Sequence, residues 1–181
     1  DRAGITGPDG PSHHGMWDVS LLGLVPGARV AAPRDAEQLR ELLRECTAHE
    51  CPTALRFPRG QSPAPIPAHG RWGEADLLTP AAGDDVLIVP VGPLATAALG
   101  AAQRLAERGV RATVLDPRWV HPVPDAVVQA ASRHRLVITV EDNAPAGGFG
   151  DALARALRTA RGDAGPRLIT LGLPEGAFIA A

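Results

Sequence analysis

Residues 86–115 read VLIVPVGPLATAALGAAQRLAERGVRATVL, and this stretch decides the fold class. It opens with the continuous apolar run Val86–Val91, which is typical of a strand covered on both faces. A Gly-Pro turn then leads into an alanine-rich helix, expected from about Leu94 to Arg108, with Gly109 in the C′ position. Because Val110–Leu115 is the next strand, the stretch predicts a right-handed βαβ unit with two parallel strands.

The same order of elements continues downstream. Leu136–Val140 predicts a third strand, and Arg167–Leu171 predicts a fourth. A helix is expected near Asp151–Thr159, after the glycine-rich turn Gly147–Gly150. Repeated alternation of strand and helix indicates an open α/β sheet.

A second strand–helix–strand unit is predicted upstream, with strands at Arg29–Ala32 and Thr53–Phe57. Asp35 is a candidate N-cap for the helix between them, and Gln38 is its capping-box partner. The expected apolar face of this helix has i, i+3, i+4, i+7 spacing and consists of Leu39, Leu42, Leu43 and Cys46. This unit predicts a second parallel sheet.

Residues 61–82 contain Pro63, Pro65, Pro67 and Pro80 and have no sustained period. Proline cannot donate to a ladder, so we expect an extended connector here. The fold class is therefore α/β, with two open, mostly parallel sheets and flanking helices. The predicted division is a first domain at 1–62, a proline-rich linker at 63–83 and a second domain at 84–181.

Composition excludes several classes of protein. The formal net charge of −2 argues against a nucleic-acid binder, which would carry a basic face. No apolar stretch approaches the ~20 residues of a membrane span, so no membrane contact is expected. The two cysteines, Cys46 and Cys51, predict neither a disulfide framework nor a metal site, which is typical of a cytoplasmic protein with reduced thiols.

The loop Asp9–Gly15, DGPSHHG, is the first candidate for chemistry. Asp9 and His13 are four residues apart and are able to exchange protons near neutral pH if they face one pocket. A simple turn is the alternative, since Asp, Gly, Pro and Ser all favour turns. A metal site is disfavoured, because no third ligand lies at useful spacing.

Two further segments are candidate anion sites. Arg59 follows a predicted strand at the carboxyl edge of its sheet, where it would offer a forked donor to a phosphate or carboxylate, and Arg2 is a weaker candidate. The alternative for the segment Arg56–Gly60 is that Arg56 or Arg59 is simply a solvated or ion-paired surface residue. The segment Glu141–Asn143 with the turn Gly147–Gly150 offers a helix N-terminus to an anion, but close packing explains these glycines better.

Together these motifs resemble the 1-deoxy-D-xylulose-5-phosphate synthase family over essentially the whole chain. In the first half the resemblance rests on DRAG at 1–4, GPDGPSHHG at 7–15, APRD at 32–35 and LRFPRG at 55–60. These are similar to the second half of the family's transketolase-like pyrimidine-binding domain. In the second half it rests on VGP at 91–93, LDPRWV at 115–120 and VEDN at 140–143 with GGFG at 147–150. These are similar to the transketolase-type C-terminal domain.

The resemblance implies a transferase that condenses pyruvate with glyceraldehyde 3-phosphate, with loss of carbon dioxide, for isoprenoid, thiamine and pyridoxal synthesis. It implies thiamine diphosphate and Mg²⁺ as cofactors and a homodimer. Arg2 and Arg59 match the arginines that hold the substrate phosphate, and Asp9 and His13 match the acid and histidine at the reacting centre. Ser12 replaces the usual Thr, Trp17 the usual Phe and Phe57 a common Tyr, and none of these changes removes a required group.

The main cofactor ligands of the family are absent from this sequence. It contains no Gly-Asp-Gly…Asn segment for Mg²⁺ and diphosphate, and the glutamate that activates the aminopyrimidine would lie before Asp1. Both ends resemble cut ends, since the chain starts without Met and stops in the apolar run Phe178–Ala181. We therefore expect an incomplete chain that is inactive alone.

The alternatives are a transketolase, the β subunit of a 2-oxo-acid dehydrogenase, or a non-catalytic α/β module that binds a phosphorylated ligand or regulates a partner.

Overall fold

The computed structural model describes residues 1–80 and 83–174, and the expected apolar end Phe178–Ala181 lies outside them. The strands in the described part are β1 (Arg29–Ala31), β2 (Thr53–Leu55), β3 (Gly70–Trp72), β4 (Ala75–Leu77), β5 (Val86–Pro90), β6 (Ala112–Asp116), β7 (Trp119–His121), β8 (Leu136–Val140) and β9 (Arg167–Leu171). The α-helices there are α1 (Asp18–Leu22), α2 (Ala36–Ala48), α3 (Ala95–Ala106), α4 (Asp125–Ala131) and α5 (Phe149–Arg161).

The larger sheet has six strands in the order β3-β4-β6-β5-β8-β9. Its four strands β6, β5, β8 and β9 are parallel, and β4 joins them antiparallel. The predicted βαβ unit is confirmed, because β5 and β6 are parallel and α3 lies between them in the chain. Every residue of β5 is buried, as its continuous apolar run predicts. The predicted bounds of β8 and β9 are correct at both ends.

The smaller sheet has the order β2-β1-β7. The predicted parallel pairing of β1 with β2 is confirmed. Its third strand was not predicted: β7 comes from the second half of the chain and pairs antiparallel with β1, with Ala31 opposite Trp119. The two halves are therefore joined by a shared sheet.

The expectation that residues 61–82 make no ladder hydrogen bonds is wrong for part of this segment. β3 and β4 form an antiparallel hairpin, and β4 continues onto β6 through Asp76 and Leu77. Gly73 allows the tight turn because it takes the left-handed conformation, with φ of 59°. The division at 1–62, 63–83 and 84–181 remains our proposal for the domain limits.

Helix α2 confirms the predicted cap and corrects the predicted face. The Asp35 carboxylate accepts a hydrogen bond from the backbone N–H of Gln38 at 2.9 Å. Leu42 is fully buried, but Leu43 is half exposed. Gln38 is buried instead, because its side-chain amide donates to the buried Asp116 carboxylate at 2.7 Å. The short helices α1 and α4 were also not predicted.

Buried charges lie where the two sheets meet. Arg34, which follows β1, donates to Asp76 at 2.6 Å and to Asp116 at 2.7 Å, so it links the smaller sheet to β4 and β6. Both carboxylates are buried. Charges withdrawn from water in this way stay ionised only when they are paired and hydrogen-bonded, so this cluster depends on Arg34.

Two further features concern the cysteines and the length of the helices. Cys46 is buried in α2, Cys51 is half-buried after it, and both are free thiols. No helix within the described residues has the length and apolar character that spanning a membrane requires.

Candidate functional site

The candidate loop between Gly4 and Gly15 is closed at its base by the backbone. Gly4 and Gly15 exchange two hydrogen bonds, at 3.0 and 2.9 Å, and the N–H of Ala3 donates to the carbonyl of Phe57 at 3.1 Å. A Cβ on Gly15 would lie 2.4 Å from the carbonyl oxygen of Arg2, so this approach requires glycine. The loop is therefore held against the segment that follows β2.

Three of the four predicted site residues meet at this loop. The carboxylate of Asp9 forms ion pairs with Arg59 and, at 3.5 Å, with Nε of Arg2. Both arginine side chains remain about half exposed, at 43% for Arg2 and 50% for Arg59, whereas that of Asp9 is 19% exposed. Two cations thus lie on either side of one carboxylate, with open faces toward solvent.

His13 lies beside this cluster but does not pair with the Asp9 carboxylate. Its Nδ1 lies 3.1 Å from the backbone oxygen of Asp9 and 3.1 Å from the hydroxyl of Ser12, and the residue is exposed. Since a carbonyl oxygen only accepts, a hydrogen bond to it requires a proton on Nδ1. The side chain of Asp9 faces the arginines, while His13 is fixed through the backbone of Asp9.

The backbone of Arg2 has an unusual conformation that the sequence did not predict. Its φ of 68° lies in the left-handed region, which is uncommon for residues other than glycine. Such conformations cost of order 1–3 kcal/mol and cluster at ligand sites. This conformation accompanies the position of the Arg2 guanidinium beside Asp9.

His14, for which the sequence predicted no role, stabilises the loop through hydrogen bonds on its buried side. It is buried, and its Nδ1 accepts a hydrogen bond from the backbone N–H of Thr6 at 3.2 Å. The hydroxyl of Thr6 lies 3.0 Å from the same nitrogen. The two adjacent histidines therefore lie in different environments, since His14 faces the interior and His13 faces solvent.

Arg56 is the structural residue that sequence reasoning undervalued. Its side chain is 3% exposed and donates to Asp18 at 2.8 Å and to Asp142 at 2.5 Å. It also donates to the carbonyl oxygen of Gly15 at 3.2 Å. Burial lowers the pKa of Arg56, but the charges of Asp142 and Asp18 outweigh it and the net shift is upward. Arg56 is therefore a permanent cation inside the protein. The side chain of Arg59, three residues further along the chain, is 50% exposed.

The second candidate anion site is occupied by the chain itself. The Glu141 carboxylate accepts hydrogen bonds from the N–H groups of Phe149 and Gly150, at 2.8 and 2.9 Å, at the start of α5. A Cβ on Gly148 would lie 2.4 Å from this carboxylate, and one on Gly150 would lie 2.5 Å from Thr139 and Thr170. The glycines therefore serve close packing, and Glu141 fills the helix N-terminus that was the candidate anion site.

Within 1–80 and 83–174, no group of three or more His, Cys, Asp and Glu side chains is arranged to hold a metal ion. The donors present at the loop suit a different ligand. Two forked, half-exposed guanidinium groups around a carboxylate can bind a dianion such as a phosphate monoester, and His13 at the rim can exchange a proton with it.

The chain matches known protein families over most of its length. Residues 1–65 match the family described as "Transketolase, pyrimidine binding domain" and residues 73–175 match "Transketolase, C-terminal domain". A 1-deoxy-D-xylulose-5-phosphate synthase of Mycobacterium sp. (strain KMS) is 52% identical over 98% of this chain and 28% of its own length. The synthase of Mycolicibacterium vanbaalenii is 55% identical over 87% of this chain and 25% of its own length.

Solved structures agree with this. A structure titled "Split gene transketolase, inactive beta4 tetramer" superposes with a TM-score of 0.80 at 26% identity, covering 96% of this chain and 56% of that one. A transketolase from Campylobacter jejuni superposes with a TM-score of 0.67 at 15% identity, covering 88% of this chain and 30% of that one, which shows a common fold. The chain thus spans between a quarter and a third of the length of the curated relatives described here. Since the C-terminal domain match alone covers more than half of its residues, the chain belongs to the transketolase family and is similar within it to 1-deoxy-D-xylulose-5-phosphate synthases.

Proposed function

We propose that this chain is part of a 1-deoxy-D-xylulose-5-phosphate synthase, a thiamine-diphosphate-dependent transferase that condenses pyruvate with glyceraldehyde 3-phosphate and releases carbon dioxide. The observation that carries the proposal is the cluster of Arg2, Asp9 and Arg59 in a chain 52% identical to such a synthase. We further propose that the complete enzyme is a cytoplasmic homodimer that serves isoprenoid, thiamine and pyridoxal synthesis.

Arg2 and Arg59 bind the phosphate of the triose phosphate in this proposal. Their guanidinium groups share one carboxylate, so they are close enough for a single phosphate to contact both. Forked, charge-assisted hydrogen bonds to phosphate oxygens are the strong ones, and arginine provides them in a fixed plane. Asp9 balances the two cations before substrate arrives, and part of its interaction is exchanged for the phosphate on binding.

His13 is proposed to act at the reacting centre. Its imidazole is exposed at the edge of the arginine cluster and is oriented by the backbone oxygen of Asp9. A histidine is suited to exchange a proton with a hydroxyl or carbonyl oxygen at neutral pH. Asp9 is proposed to act at the reacting centre as well, as its match to the family's acid implies, and in the free protein its carboxylate pairs with Arg2 and Arg59.

The cofactor set of this reaction does not fit the described residues alone. The sequence has no Gly-Asp-Gly segment, and the part of the chain that the structure describes offers no cluster of metal ligands. We therefore propose that the complete enzyme binds thiamine diphosphate and Mg²⁺ mainly through residues outside this chain. The chain alone is then proposed to be inactive.

Carbon dioxide release from pyruvate tests the proposal, with thiamine diphosphate and Mg²⁺ added and glyceraldehyde 3-phosphate present or omitted. The chain would be assayed alone and within the complete enzyme, meaning the full-length protein that carries it. We expect triose-phosphate-dependent release from the complete enzyme only. Activity of the chain alone would refute the proposed inactivity, and a complete enzyme that prefers sugar-phosphate donors or lipoyl partners would be a transketolase or a dehydrogenase subunit instead.

Two variants of the complete enzyme connect the assay to the site. Arg59→Ala should raise the KM for glyceraldehyde 3-phosphate by at least about tenfold, since a charged hydrogen bond to phosphate is lost. Arg155→Ala is the matched control, because Arg155 is an exposed arginine of α5 whose side chain forms an ion pair with the neighbouring Asp151 at 4.0 Å. An equal effect of both substitutions would argue against a phosphate role for Arg59. Binding of triose phosphate without any turnover would favour the non-catalytic module.

A further inference from the structure

The candidate loop is held by the second half of the chain as well as by the first. Asp142, directly after β8, accepts from Arg56 at 2.5 Å through its carboxylate and at 3.2 Å through its backbone oxygen. The same carboxylate lies against the base of the loop, since a Cβ on Gly4 would be 2.7 Å from its Oδ2. Arg56 in turn donates to the carbonyl oxygen of Gly15, the other end of the loop base.

Neighbouring contacts join the same two segments. The N–H of Ala144 donates to the carbonyl of Met16 at 2.7 Å, and the hydroxyl of Ser20 donates to the carbonyl of Ala146 at 2.9 Å. Residues 142–146 thus follow the chain from Gly15 to Ser20. The end of β8 in the larger sheet is therefore a fixed reference for the loop.

Arg56 also connects Asp142 to the segment that carries Arg59, the second arginine of the proposed phosphate site. It is three residues before Arg59, while the loop that it holds carries Asp9 and follows Arg2. A change at the Arg56–Asp142 pair would shift the loop base relative to residues 57–59. The distance between the two phosphate-binding arginines depends on both segments, so it depends on this pair.

We propose that Arg56 and Asp142 are positioning residues that set the spacing of Arg2 and Arg59 for a phosphate monoester. This inference rests on the proposed function. The Arg56 side chain is 3% exposed and donates to Asp18, Asp142 and Gly15, and Asp142 accepts from Arg56, so both act through other residues and not on the substrate. The C-terminal sheet thereby takes part in substrate binding without supplying a ligand.

The substitutions Asp142→Asn and Arg56→Lys test this inference in the complete enzyme. Asparagine keeps the size of Asp142 but removes its charge, and lysine keeps the charge of Arg56 but not its planar fork. Both should raise the KM for glyceraldehyde 3-phosphate by about ten- to a hundredfold, the loss expected for a misplacement of roughly 1 Å. The KM for pyruvate should change by less than about twofold, because pyruvate has no phosphate to bind.

Asp85→Asn is the matched control. Asp85 forms an exposed ion pair with Arg111 at 3.0 Å just before β5, and Asp142 follows β8. Because β5 and β8 are parallel neighbours, Asp85 lies at the amino ends of these strands and Asp142 at their carboxyl ends. The control should leave both KM values as in the wild type.

Binding of inorganic phosphate provides a readout that does not need turnover. We expect phosphate to raise the Tm of the wild type. In Asp142→Asn, the phosphate concentration that gives the same rise in Tm should be about ten- to a hundredfold higher. A wild-type phosphate response in Asp142→Asn, or no response in the wild type, would overturn the inference. Equal increases of both KM values with a lowered Tm would also overturn it, because they indicate a merely structural role. An inactive wild type that binds phosphate refutes the proposed function alone, and the titration still decides the positioning role.

Discussion

The Glu141 carboxylate accepts a hydrogen bond from the backbone N–H of Phe149 at 2.8 Å and thereby caps the first turn of α5. Because the residue is 3% exposed, its charge is withdrawn from water. Burial raises the pKa of Glu141 to about 7, although the hydrogen bonds from Gly150 and Phe149 and the charge of Arg56 act in the opposite direction. The interior cap thus titrates near neutral pH.

We predict that Glu141 makes the free energy of unfolding fall between pH 4.5 and about 7. In this range the unfolded chain has released the proton, at the ordinary pKa of 4.5, while the folded chain still holds it. The folded state binds more protons, so each pH unit lowers the free energy of unfolding by up to about 1.4 kcal/mol. The contribution is complete below pH 4.5 and is lost above the folded pKa.

Urea unfolding at pH 5 and pH 7.5 measures this effect in the wild type and in Glu141→Gln. Glutamine keeps one acceptor, so the variant loses about 1 kcal/mol for one hydrogen bond but should lose less stability between the two pH values. Glu37→Gln, on the exposed face of α2, is the control and should follow the wild type. The same pH dependence in Glu141→Gln as in the wild type would contradict the prediction.

Gly148→Ala is predicted to destabilise the protein. Its added Cβ would lie 2.4 Å from the Glu141 carboxylate and 2.8 Å from the carbonyl oxygen of Ala144. Overpacking of this kind costs about 1–3 kcal/mol. Gly100→Ala is the matched control, because a Cβ at Gly100 in α3 meets nothing within 4 Å and alanine favours a helix by about 0.5–1 kcal/mol. The Tm should fall in Gly148→Ala and rise in Gly100→Ala. A Tm of Gly148→Ala above that of the wild type would contradict the close approach of Gly148 to Glu141.

Arg34→Met is predicted to destabilise the junction of the two sheets. It leaves the buried Asp116 carboxylate without its cation, whereas Asp76 keeps an ion pair with the exposed Arg71 at 3.0 Å. Burial already raises the pKa of Asp116 despite Arg34. Breaking a buried pair from one side costs about 3–5 kcal/mol.

Urea unfolding measures the loss, and Arg34→Lys covers the case in which the methionine variant does not fold. Lysine keeps the charge but loses the fork, so its effect should be smaller. Arg155→Met is the control, since an exposed pair contributes about 0–1 kcal/mol. Similar small losses for the Arg34 and Arg155 variants would show that the buried cluster does not support the junction.

Asp9→Asn is predicted to tighten binding of inorganic phosphate. In the free protein the Asp9 carboxylate pairs with both arginines and competes with an incoming anion. Removing its charge should lower the Kd for phosphate several-fold at low salt, and this gain should shrink as salt screens the arginines. Isothermal titration at two ionic strengths would measure it, with Asp151→Asn as the control at an exposed pair. Weaker phosphate binding in Asp9→Asn would mean that Asp9 mainly organises the arginines.

The sequence determined the elements whose signal is local. The continuous apolar run of β5, the alanine-rich α3 and the Asp35 cap of α2 were predicted from neighbouring residues and are confirmed, although α3 ends at Ala106, two residues before the predicted Arg108. The strands β3, β4 and β7 were missed, because β3 and β4 lie in the proline-rich segment expected to be an extended connector, and β7 pairs with β1, which is distant in the chain. Gly73 between β3 and β4 was the one available signal for the hairpin.

For the site, the resemblance singled out Arg2, Asp9, His13 and Arg59, and their catalytic and binding roles remain predictions. Only the tertiary structure decided that Asp9 faces the arginines instead of His13, that Arg56 is buried against Asp142, and that Glu141 fills the helix N-terminus. Local periodicity reports which residues face a core. The partner of a charge depends on how distant segments pack, and Arg56 and Asp142 are separated by 86 positions in the chain.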